Sequence, residues 1–391
     1  MSFKGNIRND HSTKLTILVD ANVAFAKQAF GTIGSVRLVQ GRSLSANDVR
    51  DADILVVRSV TRVDKKLLNG SKVRFVGTAT IGTDHIDLDY LADRQIGFAS
   101  AAGSNANSVA EYVMAAILEL GKRLQFSAFG KILGVVGVGH VGTRVVKKAR
   151  ALGMIILQND PPRERREKLP VFVSLEQILA EADIITVHVP LTTFGDDATF
   201  HLFNNDRFHR LGKQAIILNT ARGDVVDNFA LLRSVRGGRV RGAVLDVWHG
   251  EPDIDSELLA AANLGTPHIA GYSYNGKIEG TRMIHAAICK HFRLGVSWDP
   301  KPLMLPPSVP LIEARVGRND KDEEVLRRLV SRVYDIAGDD LRLRGGKGGA
   351  HFDRLRAEYP IRREFSDTRV VLSGVSPDLV NKIAGLGFVV S

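Results

Sequence analysis

The sequence predicts an α/β protein: a Rossmann-type dinucleotide domain, a second parallel α/β unit, and a small α+β unit at the C-terminal end. Three observations carry this expectation. Short β-branched apolar runs recur between longer helical stretches. A G-x-G-x-x-G loop links one such run to a helical stretch. Five of the 13 prolines crowd into residues 300–310, where fixed φ and a missing donor make a stiff connector.

The elements follow in order. Residues 15–20, 54–58 and 73–77 read as buried strands of the first unit. From Ser108 onward the period changes. Val109, Val113, Ala116, Ile117 and Leu120 recur at helical spacing, with Ser108 as N-cap and Glu111 three residues later, so the chain enters a new domain. Residues 132–136, 154–158, 184–187, 215–219 and 242–246 read as a second strand series, with intervals long enough for crossover helices. Beyond the prolines, Val325, Leu329, Val333 and Ile336 line one helical face, and 369–373 and 388–390 read as strands. The GGKGG stretch at 345–349 reads as a mobile loop.

Composition narrows the function. At 391 residues, 44% hydrophobic and 25% charged, the chain suits two or three globular domains. No apolar run approaches the ~18 residues of a membrane span, and residues 1–10 lack the apolar segment of a secretory signal. A single cysteine, Cys289, forbids an internal disulfide and fits a reducing cytoplasm. The net charge of +10 is spread thinly, with no basic arm or stripe, which favours small anions over nucleic acid. The histidines lack metal-ligand spacing with thiols or carboxylates, so no metal is expected.

The chemistry-bearing residues cluster after strands. In the glycine loop, Gly137 permits a tight turn, Gly139 lets backbone approach a pyrophosphate, and Gly142 lets helix and strand pack closely. Amides at the helix start would bind phosphate. Asp160 ends the next strand, where a carboxylate accepts from both ribose hydroxyls and favours NAD. Arg163, Arg165 and Arg166 stand close enough to leave NADP open. Further on come Asn219 to Gly223, Leu245 to Pro252 and Thr266 to Tyr272. Strand ends of an open parallel sheet converge at the ligand crevice. Arg222, Glu251 and His268 are what interconversion of a 2-hydroxy and a 2-keto acid needs. A guanidinium grips the carboxylate, an imidazole moves the proton, and a carboxylate holds the imidazole. Singly, each is as well explained as a surface ion pair, a turn residue or a packed loop histidine.

Taken together, the glycine loop 137–142, the Asp160-Pro-Pro turn, His188-Val-Pro-Leu191 and the three later blocks resemble, in order, the D-2-hydroxyacid dehydrogenase family. Within it, Arg58-Ser-Val-Thr61, Phe75 to Asp87, His268 to Ser273 followed by Gly276-Lys277, and the C-terminal unit resemble a branch that oxidises 4-phospho-D-erythronate with NAD in pyridoxal 5′-phosphate synthesis. The resemblance implies Arg222, Glu251 and His268 as catalytic, with His268 the proton carrier. It implies Ser59, Thr80 and Tyr272 at the substrate. It puts Gly137, Gly139, His140, Val141, Gly142, Asp160, Val189, Thr220, Ala221, Arg222, Asp246 and Gly271 at NAD. It further implies a flavodoxin-like substrate domain split into 1–107 and 271–300, a Rossmann domain at 108–270, and a linker with C-terminal domain at 301–391 that forms a homodimer. Three positions depart from the pattern: His140 stands for Asn, Ala221 for Cys, and His249 for an acid, which puts a titratable neighbour near Glu251. The alternatives are a sister dehydrogenase of phosphoglycerate, glyoxylate or hydroxypyruvate, and an NADH-sensing corepressor-type binding protein. Substrate turnover separates the first, and a His268→Ala variant that keeps its biological function would mark the second.

Overall fold

The computed structural model describes residues 15–317 and 319–391. They fall into two compact units, one of residues 15–104 with Lys277–Met304, the other of Asn105–Gly276 with Leu305–Ser391.

The first unit is built on a parallel sheet of β1 (Leu15–Asp20), β2 (Gly34–Val39), β3 (Ile54–Val57), β4 (Phe75–Thr78) and β5 (Gly97–Ser100), in the order β2-β1-β3-β4-β5. This is one of the two common doubly wound orders. Strand alternation sends successive side chains to opposite faces. Ile17 and Val19 join Phe30, Ile284 and Ile288 on one face, while Leu18 joins Leu68, Val76 and Leu91 on the other. Double-sided burial explains why β1, β3 and β4 read as continuous apolar runs. The edge strands β2 and β5 are only partly buried and carry no such run, and the sequence reading missed both.

The second unit holds β6 (Ile132–Val136), β7 (Ile155–Asn159), β8 (Ile184–Val187), β9 (Ile216–Asn219), β10 (Gly242–Leu245) and β11 (Leu264–Gly265). All pair in parallel, in the order β11-β10-β9-β8-β6-β7. Phe172, outside the named strands, forms a parallel bridge to Gln158 of β7. The order therefore reverses between β6 and β8, which is the switch point where such sheets open a ligand crevice.

A third parallel sheet joins β12 (Leu311–Arg315), β13 (Arg369–Ser373) and β14 (Val389–Val390). It shares one apolar core with the dinucleotide part. Val113, Ile117 and Leu120 of the helix Ala106–Arg123 and Val145 of the helix His140–Ala151 cluster with Ile312, Leu329, Phe365 and Ile383.

Three local expectations are corrected. Helix Ala106–Arg123 starts three residues early, with Asn105 at its N-cap position, and Ser108 lies inside it, its hydroxyl donating to the Ala270 carbonyl at 2.8 Å. The C-terminal stripe is two helices: Asp322–Val333 ends before Ile336, which opens Ile336–Arg344 behind an Asp335 cap that accepts from the Gly338 amide. The 345–349 glycines form a tight inter-helix turn, with Gly348–Ala357 already helical and the Gly349 amide bonded to Asp253 at 2.8 Å.

Candidate active site

The glycine loop has the geometry its residue types require. Gly137 sits at φ 87°, and a Cβ there would lie 2.8 Å from the His188 backbone and the Val189 side chain. Val189 thus packs on the turn. A Cβ on Gly142 would meet the Gly137 carbonyl oxygen at 2.1 Å, so only glycine lets the helix His140–Ala151 start so close to β6. Gly139 differs. It is exposed, has a negative φ, and a Cβ there meets nothing within 4 Å. Open space before the first amides of a three-turn helix fits a pyrophosphate. Gly139→Ala is therefore expected to fold with an unchanged melting temperature, yet to weaken NAD binding about tenfold or more by titration.

Asp160 closes β7 with its carboxylate. One oxygen accepts from the Val138 amide at 2.8 Å and the other from Arg163 N at 3.0 Å, which caps the next helix. The nearby arginines are already committed. Arg163 bonds Glu167 and the Val138 carbonyl, Arg166 bonds Glu167, and Arg165 bonds Asp197. A 2′-phosphate would have to break these pairs, so the loop suits NAD. Asp160→Ser keeps a capping oxygen but loses a negative charge. Its expected effect is an NAD-to-NADP preference reduced about tenfold or more in kcat/KM.

The turn after β9 is held by Asn219. Its side-chain carbonyl accepts from the Ala221 amide at 3.0 Å and its amide donates to the Arg222 carbonyl at 2.9 Å. Thr220 and Thr186 hydroxyls lie 3.1 and 2.9 Å from the two ring nitrogens of His188, and burial pushes that imidazole down to about 3, so it stays neutral. Gly223 touches the loop after β10: a Cβ there would strike the Trp248 carbonyl at 2.0 Å. Arg222 and the Trp248–Glu251 segment are thereby neighbours.

His268 Nδ1 lies 2.8 Å from Glu251 Oε2, while Glu251 Oε1 accepts from the Trp248 amide at 2.8 Å. Burial opposes charge on Glu251. The His268 ring, that amide and the Arg356 charge outweigh it and hold the carboxyl below its ordinary value. Glu251 is thus a carboxylate at neutral pH, which fixes the proton of a neutral imidazole on Nδ1 and leaves Nε2 as the nitrogen able to accept a proton. His268 has φ 57°, a left-handed conformation rare for a side chain of this size. Asp246 sustains it. This carboxylate is 1% exposed and accepts from Thr266 Oγ1 at 2.6 Å and the Ile269 and Ala270 amides at 2.7 and 2.9 Å. The Tyr112 hydroxyl, from the helix Ala106–Arg123, lies 2.7 Å from Thr266 Oγ1. Thr266 appears in the sequence only as the start of a block, and Tyr112 gives no signal there, because nothing local ties residues 154 positions apart.

The remaining candidates are placed as follows. Tyr272 is half-buried behind His268, its ring edge-on to Tyr359 at 5.9 Å. Gly271 abuts Asn105, where a Cβ would lie 2.0 Å from Nδ2. His140 is exposed at the helix start and Val141 is half-buried behind it. His249 pairs with Asp224. In the first unit, Ser59 and Thr80 each lie two residues beyond the paired ends Val57 and Thr78 of β3 and β4. Ser59 is exposed, and the Thr80 hydroxyl lies 2.7 Å from that of Thr78. Among the described residues no group of three His, Cys, Asp or Glu could hold a metal, and no helix is long and apolar enough to cross a membrane.

Residues 96–270 match the family of D-isomer specific 2-hydroxyacid dehydrogenase NAD binding domains, and 305–387 match a domain family of unknown function, DUF3410. The chain is 44% identical over 369 residues to an erythronate-4-phosphate dehydrogenase of Salinibacter ruber, covering 92% of this chain and 94% of that one. It is also 44% identical over 379 residues to the enzyme of that name from Ectopseudomonas mendocina, covering 95% and 98%. Among solved structures it is similar to D-lactate dehydrogenase from Aquifex aeolicus complexed with NAD and lactic acid, with a TM-score of 0.57, 26% identity, and coverage of 71% of this chain and 95% of that one. The chain belongs to the erythronate-4-phosphate dehydrogenases of the D-isomer specific 2-hydroxyacid dehydrogenase family.

Proposed function

We propose that the protein oxidises 4-phospho-D-erythronate at C2 to (R)-3-hydroxy-2-oxo-4-phosphooxybutanoate, in pyridoxal 5′-phosphate synthesis. Near full-length kinship to enzymes of that name supports the substrate. The observation that carries the chemistry is the His268–Glu251 pair, 2.8 Å apart beyond the carboxyl ends of β10 and β11.

The glycine loop 137–142, Asp160 and the 220–222 turn would hold NAD, and the open face of Gly139 fits that group. Bound there, NAD supplies the acceptor for the hydride leaving C2. Arg222 grips the substrate carboxylate in two-point fashion. His268 Nε2 takes the hydroxyl proton, and Glu251 stabilises the imidazolium so formed. Asp246 fixes the His268 loop from behind. Its carboxylate already receives three protein donors, and its assignment to NAD rests on the family pattern. Ser59, Thr80 and Tyr272 are read as substrate contacts on the same ground. We read the enzyme as a cytoplasmic homodimer associating through the C-terminal region.

The test supplies purified protein with NAD, 4-phospho-D-erythronate and a trace of 2-oxo acid as oxidant for retained NADH. Appearance of NADH and of the phosphorylated 2-oxo product supports the reading. Faster turnover of 3-phosphoglycerate, glyoxylate or hydroxypyruvate would replace it.

A further inference from the structure

Arg356 lies on the helix Gly348–Ala357, to which no part in catalysis or substrate binding has been given. That helix is docked on the catalytic turn. The Gly349 amide donates to Asp253 at 2.8 Å, and a Cβ on Gly349 would lie 2.9 Å from the Pro252 ring. Arg356 is seven residues further along. Seven residues are close to two turns, so it shares the Gly349 face. It reaches Tyr272, with its guanidinium carbon 5.7 Å from the ring centroid, and its charge helps keep Glu251 ionised. Its Nε is buried and meets no acceptor. The residue as a whole is only half-buried, and an anion bound at its guanidinium would offset this unpaired charge.

We propose that Arg356 is a substrate-binding residue that takes the phosphate of the substrate and sets preference for phosphorylated hydroxy acids. The inference rests on the function proposed above. That substrate carries two anionic groups. Arg222 serves the carboxylate, Ser59 and Thr80 bring no charge, and Arg58, although its Nε also lacks a hydrogen bond, has its charge offset by buried Asp20 at 3.3 Å. A phosphate dianion calls for a further guanidinium with free donors, and Arg356 stands beside Tyr272 with one.

The experiment compares wild type, Arg356→Gln and Arg356→Lys on 4-phospho-D-erythronate and on D-erythronate. The kcat/KM ratio of phosphorylated over plain substrate should fall about 10- to 100-fold in Arg356→Gln, mostly through KM. Arg356→Lys should recover part of it, and melting temperatures should agree within a few degrees. An unchanged ratio, or equal loss on both substrates, overturns the assignment. Inorganic phosphate binding, titrated by phosphorus NMR, separates this inference from the one beneath it. If wild type fails to oxidise 4-phospho-D-erythronate yet binds phosphate in a manner Arg356→Gln abolishes, the anion site stands and the substrate reading falls. Phosphate binding that is absent, or indifferent to Arg356→Gln, sinks the site.

Discussion

Replacing His268 by alanine should lower kcat by about a hundred- to ten-thousand-fold, the range of a positioned general base, while leaving NAD affinity within a few-fold of wild type. The geometry separates these effects. The imidazole is tied to Glu251, whereas the glycine loop and Asp160 are held by β6, β7 and the helix between them. The backbone at His268 also relaxes in the variant only if its own bonds fail. Its amide donates to the Asp246 carbonyl at 2.7 Å, and the next two amides donate to the Asp246 carboxylate. The loop is therefore expected to stay in place when the ring is removed. Stopped-flow hydride transfer and NAD titration on one preparation check both parts. A variant that loses NAD affinity in parallel with kcat would show that the ring is structural.

Glu111→Leu should destabilise the protein by about 3–5 kcal/mol, the cost of stranding a buried charge. Glu111 is buried in the helix Ala106–Arg123 and accepts from the Phe365 amide and Asn107; Lys148 Nζ is 3.7 Å away and donates to the Leu386 carbonyl. Burial pushes the Glu111 carboxyl up to about 8 and the Lys148 ammonium down, so each charge depends on the other. Glu111→Leu with Lys148→Met should recover most of the loss, because an apolar pair replaces a buried ion pair at little cost. Lys148→Met alone gives a signed pH effect. It removes a cation that lowers the Glu111 value, leaving that value further above the unfolded one. A raised carboxyl contributes stability that is full below the unfolded value and lost as pH rises through the folded one. The deficit of Lys148→Met should therefore stay level from pH 5 to about pH 7 and grow as pH rises past the wild-type Glu111 value of about 8 in urea melts. A deficit that shrinks with rising pH would contradict this account of the pair.

What the sequence revealed depended on how local the cause was. Strands β1, β6 and β8 read with correct ends because burial on both faces leaves an uninterrupted apolar run. Strands β2, β5 and β12 were missed: β2 and β12 carry exposed positions and β5 is only half-buried throughout, so none stands out as an uninterrupted buried run. The glycine loop was legible because a turn, a close approach and a helix start constrain six adjacent residues. Arg222, Glu251 and His268 could be named as a chemical set, but their union came from order along the chain and likeness to a family. No spacing rule says that residues 251 and 268 meet. Least legible were the supports at long separation: Tyr112 behind Thr266, Glu111 beneath Phe365, and Arg356 beside Tyr272. Each joins segments far apart along the chain, and such contacts follow from packing that no local pattern encodes.

The central claim is that a hydride leaves C2 of 4-phospho-D-erythronate while His268 takes the hydroxyl proton. Its most direct test is turnover of substrate deuterated at C2, followed by mass spectrometry of the reduced cofactor. The account predicts one deuterium in each NADH formed by wild type, and labelled NADH formed about a hundred- to ten-thousand-fold more slowly by His268→Ala. Unlabelled NADH from wild type, or an undiminished rate of labelling in the variant, would contradict it.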